Sequence, residues 1–173
     1  MRKRFVLGAL FCLFAAAVSA SAQGNFAGDW TLDKDQSELG ERSRLKSMTM
    51  NVTQSDNELT YERKIEQEEG GQGGGRGMGG GRGGDPGAVT FDLEGKETTA
   101  KTPRGEAKLK AKKVDGNKLE LTRSQTFEGR MGTMTITTIE TWELSEDGKT
   151  LTVSSETETP RGARSSKMIF IKN

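Results

Sequence analysis

Three charged residues fall where the sequence otherwise alternates polar and apolar side chains. Arg63, Arg123 and Glu140 each lie two residues from an apolar side chain, at a position where the alternation would place another apolar residue. Because alternate residues of a β-strand share a face, these groups would enter the interior of a sheet if those faces point inward. There they need an ion-pair partner, water or a ligand. An arginine in such a place suits a bidentate contact with the anionic group of a ligand.

Apolar and aromatic residues on the same faces complete this predicted site. Tyr61 shares a face with Arg63 and is placed to help hold an anion, whereas Trp142, Met48 and Met50 suit the wall of a small-molecule cavity. The alternative is that the arginines and the glutamate satisfy one another, or that these faces point outward, because a slip of one residue reverses every face. The predicted ligand-binding residues are Arg63, Arg123, Glu140, Tyr61, Trp142, Met48 and Met50.

Residues that commonly carry out catalysis are scarce in this chain. It has no histidine and a single cysteine, Cys12, so the commonest general base and the commonest transition-metal ligand are missing. The motifs of serine hydrolases, P-loop proteins and zinc proteases are absent. Asp33 and Asp35 do not continue into a calcium loop, and the glutamates of residues 66–69 border a flexible stretch. We expect no catalytic residue, metal or cofactor, with carboxylate or lysine chemistry as the open alternative.

The first residues have the features of an export signal. A basic start at residues 2–4 precedes an apolar run over residues 5–18 and small residues at 20–22, which is the order found in secretory signal peptides. The apolar run is too short for a permanent membrane-spanning helix. We expect cleavage after Ala22, with Ala20 as the alternative, and a periplasmic or extracellular protein.

Removal of residues 1–22 leaves a chain that is poor in apolar residues. It takes away three of the 26 basic residues and none of the 25 acidic ones, so the net charge changes from +1 to −2. Roughly a quarter of the remaining residues are apolar, below the usual share for a globular domain. We expect residues 23–173 to form one monomeric domain with a thin core, without disulfides.

Short β-rich runs separated by turn residues recur along the whole chain. In the clearest pair, residues 131–144 and 150–156 flank Asp147-Gly148, which suits a hairpin loop. The polar run at residues 33–39 fits a turn or a single helical turn. The pattern predicts an all-β protein of about 8–10 antiparallel up-and-down strands, closed as a barrel or folded as a sandwich. The barrel is favoured because consecutive hairpins need no long crossover and closure removes exposed edges.

A glycine-rich stretch over residues 70–87 interrupts these strands. Eleven of the 23 glycines fall between Gly70 and Gly84, and a packed element does not tolerate that loss of backbone entropy. We therefore expect a flexible loop. Arg76 and Arg82 are spaced as in glycine–arginine segments that bind RNA, but two arginines in an acidic chain are a weak electrostatic footprint. Nucleic acid is not an expected partner.

Two separated motifs resemble those of a known family. Gly28-Asp29-Trp30 is similar to the Gly-x-Trp of the first strand of lipocalins and other calycins, and its continuation through Ser37 resembles the opening of small exported bacterial lipocalin-like proteins. The stretch from Trp142 to Val153 is similar to their penultimate hairpin. The resemblance implies an up-and-down β-barrel, often with a cavity for a small hydrophobic or amphipathic ligand.

The resemblance also implies structural roles for Gly28 and Trp30, with the tryptophan plugging the closed end of the barrel. The sequence departs from the family in two respects. A second lipocalin motif is not found, and neither Arg161 nor Arg164 is assigned as the arginine that packs on the first-strand tryptophan.

These observations lead to two functional hypotheses. The first is an exported, non-enzymatic protein that binds or carries a small hydrophobic or amphipathic molecule, without a membrane span once the signal is cleaved. The alternative is a cell-envelope structural or interaction module that acts through an exposed face or the glycine-rich loop. Deletion of Gly70–Gly84 distinguishes them, because a cavity binder keeps its ligand and a loop-dependent partner is lost.

Overall fold

A computed structural model describes residues 24–39, 43–68, 87–102, 105–129, 132–159 and 162–173. The predicted signal peptide and almost all of the glycine-rich stretch lie outside these residues, so both stay predictions. No helix among the described residues is long and apolar enough to cross a membrane. The strands are β1 (Gly28–Glu38), β2 (Leu45–Gln54), β3 (Glu58–Gln67), β4 (Val89–Asp92), β5 (Thr98–Thr102), β6 (Gly105–Asp115), β7 (Lys118–Gly129), β8 (Gly132–Leu144), β9 (Thr150–Thr159) and β10 (Gly162–Lys172).

All ten strands belong to one antiparallel sheet that curls into a nearly closed barrel. Consecutive strands pair with each other except β4 and β5, which lie at the two edges of the sheet and meet at a seam. The last strand, β10, also pairs with β1. At the seam the Thr98 hydroxyl donates to the Thr90 carbonyl at 3.4 Å. The predicted all-β up-and-down barrel is confirmed.

The alternation of side chains along the strands follows the sequence pattern. In β8 the even-numbered residues from Met134 to Leu144 face inward, and Trp142 and Leu144 are buried. In β10, Met168 and Phe170 are buried opposite Val153 and Leu151 of β9. The register is therefore the one that places the largest apolar side chains in a common core.

The first strand is longer than the sequence suggested. Residues 33–39 were expected to form a turn or a helical turn, yet β1 continues to Glu38. The pairing with β10 is irregular there, passing from Asp33 opposite Ile169 to Glu38 opposite Lys167. The Asp33 carboxylate accepts backbone N–H groups from Asp35 and Gln36. The turn-forming chemistry is thus present, but it produces a bulge within a strand rather than an end to it.

One end of the barrel, which we call the packed end, carries the turns at Asn57, Asn117 and Asp147. The chain start closes this end: Phe26 is fully buried, and its carbonyl accepts the indole N–H of Trp30 at 3.0 Å. Phe26 also packs against Trp142, with ring centroids 6.3 Å apart. The opposite end, which we call the distal end, is where β7 ends and β8 begins.

A lysine, rather than an arginine, covers the first-strand tryptophan. The Lys172 ammonium lies 5.3 Å from the centre of the buried Trp30 ring. A Cβ added to Gly28 would lie 2.5 Å from Cε of Lys172, and Gly28 has a φ of 146°. The Gly-x-Trp spacing therefore provides a tryptophan for the core and leaves room for the cation that covers it.

We expect Gly28→Ala to lower the free energy of unfolding by about 1–3 kcal/mol, because the backbone conformation is unfavourable for any side chain. Urea denaturation followed by tryptophan fluorescence measures this loss. Adding Lys172→Ala removes the steric contact but not the backbone strain, so most of the loss should persist. Full recovery in the double variant would show that the lysine contact, and not the backbone, requires glycine.

Candidate functional site

The central feature of the interior is an ion pair between strands on opposite sides of the barrel. Arg63 of β3 donates from both terminal nitrogens to the two carboxylate oxygens of Glu140 of β8, each at 2.7 Å. Both side chains are only 11% exposed. A two-point contact of this kind fixes both groups, and separating them would leave a buried charge without a partner.

Aromatic and sulfur-containing side chains enclose this ion pair. The Arg63 guanidinium lies 4.7 Å from the centre of the Tyr61 ring and 5.8 Å from that of Trp142. The Trp142 indole N–H donates to the Glu140 carboxylate at 2.9 Å, and Nε of Arg63 lies 3.4 Å from the Met50 sulfur. The structure thus unites five of the seven predicted site residues in one cluster, in which the charged groups of Arg63 and Glu140 satisfy each other.

The electrostatics of this cluster hold both partners in their charged forms. Burial favours the neutral form of Glu140, but the charge and hydrogen bonds of Arg63, with the Trp142 hydrogen bond, lower its pKa below the ordinary value. Burial likewise disfavours the charged form of Arg63, and the Glu140 carboxylate outweighs it, so the pKa of the guanidinium is raised. The pair is therefore part of the folded scaffold across the neutral pH range.

Burial and, to a smaller extent, the Glu140 charge raise the pKa of Tyr61 to about 12 from an ordinary value of 10.0. Because the pKa of Tyr61 is raised in the folded state, its protonated hydroxyl contributes fully to stability below pH 10.0. This contribution is lost as the pH rises towards 12. Tyr61 is the only tyrosine, so tyrosinate absorbance reports on it alone. We expect ionisation near pH 12 or together with alkaline unfolding. Ionisation near pH 10 in a folded barrel would contradict the burial described here.

Arg123 of β7 lies outside this network, although it belongs to the same interior. It is half-buried and lies opposite Thr138, one of the inward-facing residues of β8, and its charge helps to lower the pKa of Glu140. No hydrogen bond or ion pair joins its side chain to another residue in the described part of the chain. Of the two arginines predicted to hold an anion, Arg123 is the one whose donors are not already engaged.

Hydroxyl groups line the inner face beside Arg123. Thr138 of β8 lies directly opposite Arg123, and Thr157 of β9 lies opposite Thr138. The two threonine hydroxyls are hydrogen-bonded at 3.2 Å. Arg164 of β10 pairs with Thr157, so one register row runs from Arg123 through two threonines to a second arginine.

Ser155 is the most deeply buried hydroxyl on this face. It pairs with Glu140 on one side and with Ser166 on the other. It is 5% exposed, and its hydroxyl has no hydrogen-bond partner among the residues that the structure describes. A buried hydroxyl without a partner carries a desolvation cost, which a bound acceptor or donor would remove.

The last predicted residue, Met48, is buried in the core on β2 opposite Ile65. Sequence reasoning missed Thr138, Thr157 and Ser155, because threonine and serine are common in these strands and only the register shows which of them face Arg123. The ligand-binding assignment of the seven residues stays a prediction.

Other concave or acidic features do not add to this site. A surface depression is lined by Lys46, Glu66, Gln67 and Glu68, none of which belongs to the predicted set. Within the described ranges, no group of three acidic, histidine or cysteine residues is arranged to hold a metal ion.

Comparison with known proteins supports the fold. No family model matches the sequence, and no curated protein matches it. The structure is similar to a crystal structure of zebrafish ileal bile acid-binding protein complexed with cholic acid, with a TM-score of 0.52 and 17% sequence identity. The match covers 86% of this chain and 98% of that chain. The likeness is one of fold: an all-β barrel of the type that the Gly-x-Trp and hairpin motifs imply.

Proposed function

We propose that this chain is an exported, non-enzymatic protein that binds or carries a small amphipathic or hydrophobic molecule in the distal half of its barrel. The observation that carries the proposal is the contrast between the two halves. The packed end is filled by Phe26, Trp30 and Trp142, all fully buried. Towards the distal end, half-exposed side chains cover the inner face, and Arg123 has no ion-pair partner among the described residues.

The ion-pair cluster serves as the floor of this proposed site. Because Arg63 and Glu140 engage each other at two points, neither needs a ligand to be stable in the interior. A rigid floor with satisfied groups positions the adjacent side chains without competing for the ligand.

The similar barrel from zebrafish supports a small amphipathic molecule as the class of ligand. That protein was crystallised with cholic acid, which is a small amphipathic molecule. We infer that this chain uses the same kind of interior for a ligand of comparable character, although its side chains differ.

Export rests on the amino-terminal pattern of basic, apolar and small residues. We expect the protein recovered after expression of the full chain to begin at Gln23. Amino-terminal sequencing of the secreted or periplasmic fraction measures this. Recovery of the intact chain in the cytoplasm would contradict the proposal of export.

Binding is tested by native mass spectrometry of the exported protein purified without detergent, together with uptake of a fluorescent fatty acid. We expect an adduct or saturable uptake. Thr138→Phe fills the inner face and should abolish binding, whereas Thr137→Phe, on the outer face of the same strand, should not. A bare mass without uptake of the probe would contradict a carrier function.

A further inference from the structure

We propose that the ligand carries an oxyanion, and that this group binds between the Arg123 guanidinium and the hydroxyls of Thr138, Thr157 and Ser155. The class comprises amphipathic carboxylates, sulfonates and phosphates. This inference rests on the proposed function and specifies which part of the ligand enters the barrel first.

The charge of the inner face favours an anion. Arg63 and Glu140 cancel each other in the two-point ion pair. Arg123 and Arg164 remain, and neither has an ion-pair partner in the described ranges. The inward-facing rows therefore carry a net positive charge, and a half-buried cation gains most from a directly bonded anion.

The hydroxyl groups supply donors where the anion would lie. The Thr138 and Thr157 hydroxyls share one hydrogen bond, so one of them still has a proton to donate. The Ser155 hydroxyl is buried and has no hydrogen-bond partner among the described residues. Two hydroxyl protons, one from the threonine pair and one from Ser155, can together with the guanidinium satisfy the acceptors of one oxyanion.

The spacing between these groups matches a small anion. Arg123 and Thr157 share a register row across β8, which places their backbones roughly 10 Å apart, and Ser155 lies two residues, roughly 7 Å, further along β9. An extended arginine side chain covers part of that distance from one side. A carboxylate or phosphate group that spans the remainder would contact both sides.

The apolar residues of the inner face lie on the distal side of these donors. Phe127 and Met134 face each other across β7 and β8, and Ile136 lies between Met134 and Thr138 along β8. All three are half-buried. The ligand is therefore oriented with its anionic group towards the ion-pair cluster and its apolar part towards the distal end.

The test compares dodecanoate with dodecanol, which share an alkyl chain and differ in charge, by isothermal titration of the exported full chain. We expect dodecanoate to bind more tightly. Arg123→Met should weaken dodecanoate binding about tenfold to a hundredfold, the range for a charge-assisted hydrogen bond, and leave dodecanol binding unchanged. Lys110→Gln removes an exposed positive charge from the outer face of β6 and should change neither.

Ser155→Ala provides a second variant that is not expected to impair folding. Removing a buried hydroxyl without a partner should leave the urea midpoint unchanged or raise it, while dodecanoate binding weakens. Equal binding of the two probes, or insensitivity of dodecanoate to both variants, would overturn the oxyanion site and leave the proposed function standing. Failure of both probes to bind would instead overturn the proposed function.

Discussion

Replacing Glu140 with leucine should lower the free energy of unfolding by about 3–5 kcal/mol, the cost of leaving a buried charge without its partner. The reason is the position of Arg63, which is 11% exposed and packs against the rings of Tyr61 and Trp142. It can neither reach water easily nor lose its proton. Urea denaturation followed by tryptophan fluorescence measures the change.

Two matched variants separate the buried charge from general effects of substitution. Arg63→Met combined with Glu140→Leu removes both charges and should recover most of the stability, because a buried ion pair can be replaced by apolar groups at little cost. Glu143→Leu breaks the more exposed Lys118–Glu143 pair, which joins β8 to β7, and should cost at most about 1 kcal/mol. Equal losses in Glu140→Leu and Glu143→Leu would contradict the buried network.

The Arg63–Glu140 ion pair makes the fold sensitive to acid. The pKa of Glu140 is lowered in the folded state by Arg63 and by hydrogen bonds, against the effect of burial. The stabilisation is therefore complete above the ordinary glutamate pKa and is lost as the pH falls through the lowered value. The variant that combines Arg63→Met with Glu140→Leu lacks this carboxylate, so it should lose less stability on acidification than the natural chain.

Trp30→Ala should destabilise the barrel by about 3–5 kcal/mol, the range for removing a fully buried large aromatic residue. Trp30 is completely buried, donates its indole N–H to the Phe26 carbonyl and lies beneath Lys172. Its removal leaves a cavity at the packed end and a carbonyl without its donor. The remaining tryptophan, Trp142, reports unfolding in the same denaturation experiment.

Trp30→Phe is the control for the size of this cavity. It retains most of the ring volume and loses the indole N–H, so the loss should be smaller than in Trp30→Ala. A loss below about 1 kcal/mol in Trp30→Ala would contradict a structural role for the first-strand tryptophan at the packed end.

The barrel was predictable because the alternation of apolar and polar residues shows which face of each strand is buried. The alternation from Met134 to Leu144 and the Asp147-Gly148 turn determine a hairpin locally, and repeated hairpins leave few ways to close a sheet. The bulge after Asp33 was not predictable, because its turn-forming residues equally suit the end of a strand.

The site was only partly predictable, since its key relations join distant parts of the chain. Periodicity placed Arg63 and Glu140 on inner faces, but their ion pair spans 77 residues and depends on how the barrel curls. It also could not show that this pair leaves Arg123 as the unengaged arginine. Likewise, Lys172 takes the position over Trp30 for which an arginine was sought, because Trp30 and Lys172 are direct partners between β1 and β10.

The most direct test of a ligand site in the distal half is a titration of the protein, labelled at its methionine methyl groups, with dodecanoate followed by NMR. Met134 lies on the distal inner face, whereas Met50 is buried beside Arg63. Conservative Met→Leu variants assign the two signals. We expect a saturable shift of the Met134 signal and a much smaller shift of the Met50 signal. A saturable interaction that leaves the Met134 signal unchanged would place the ligand elsewhere and contradict a site in the distal half.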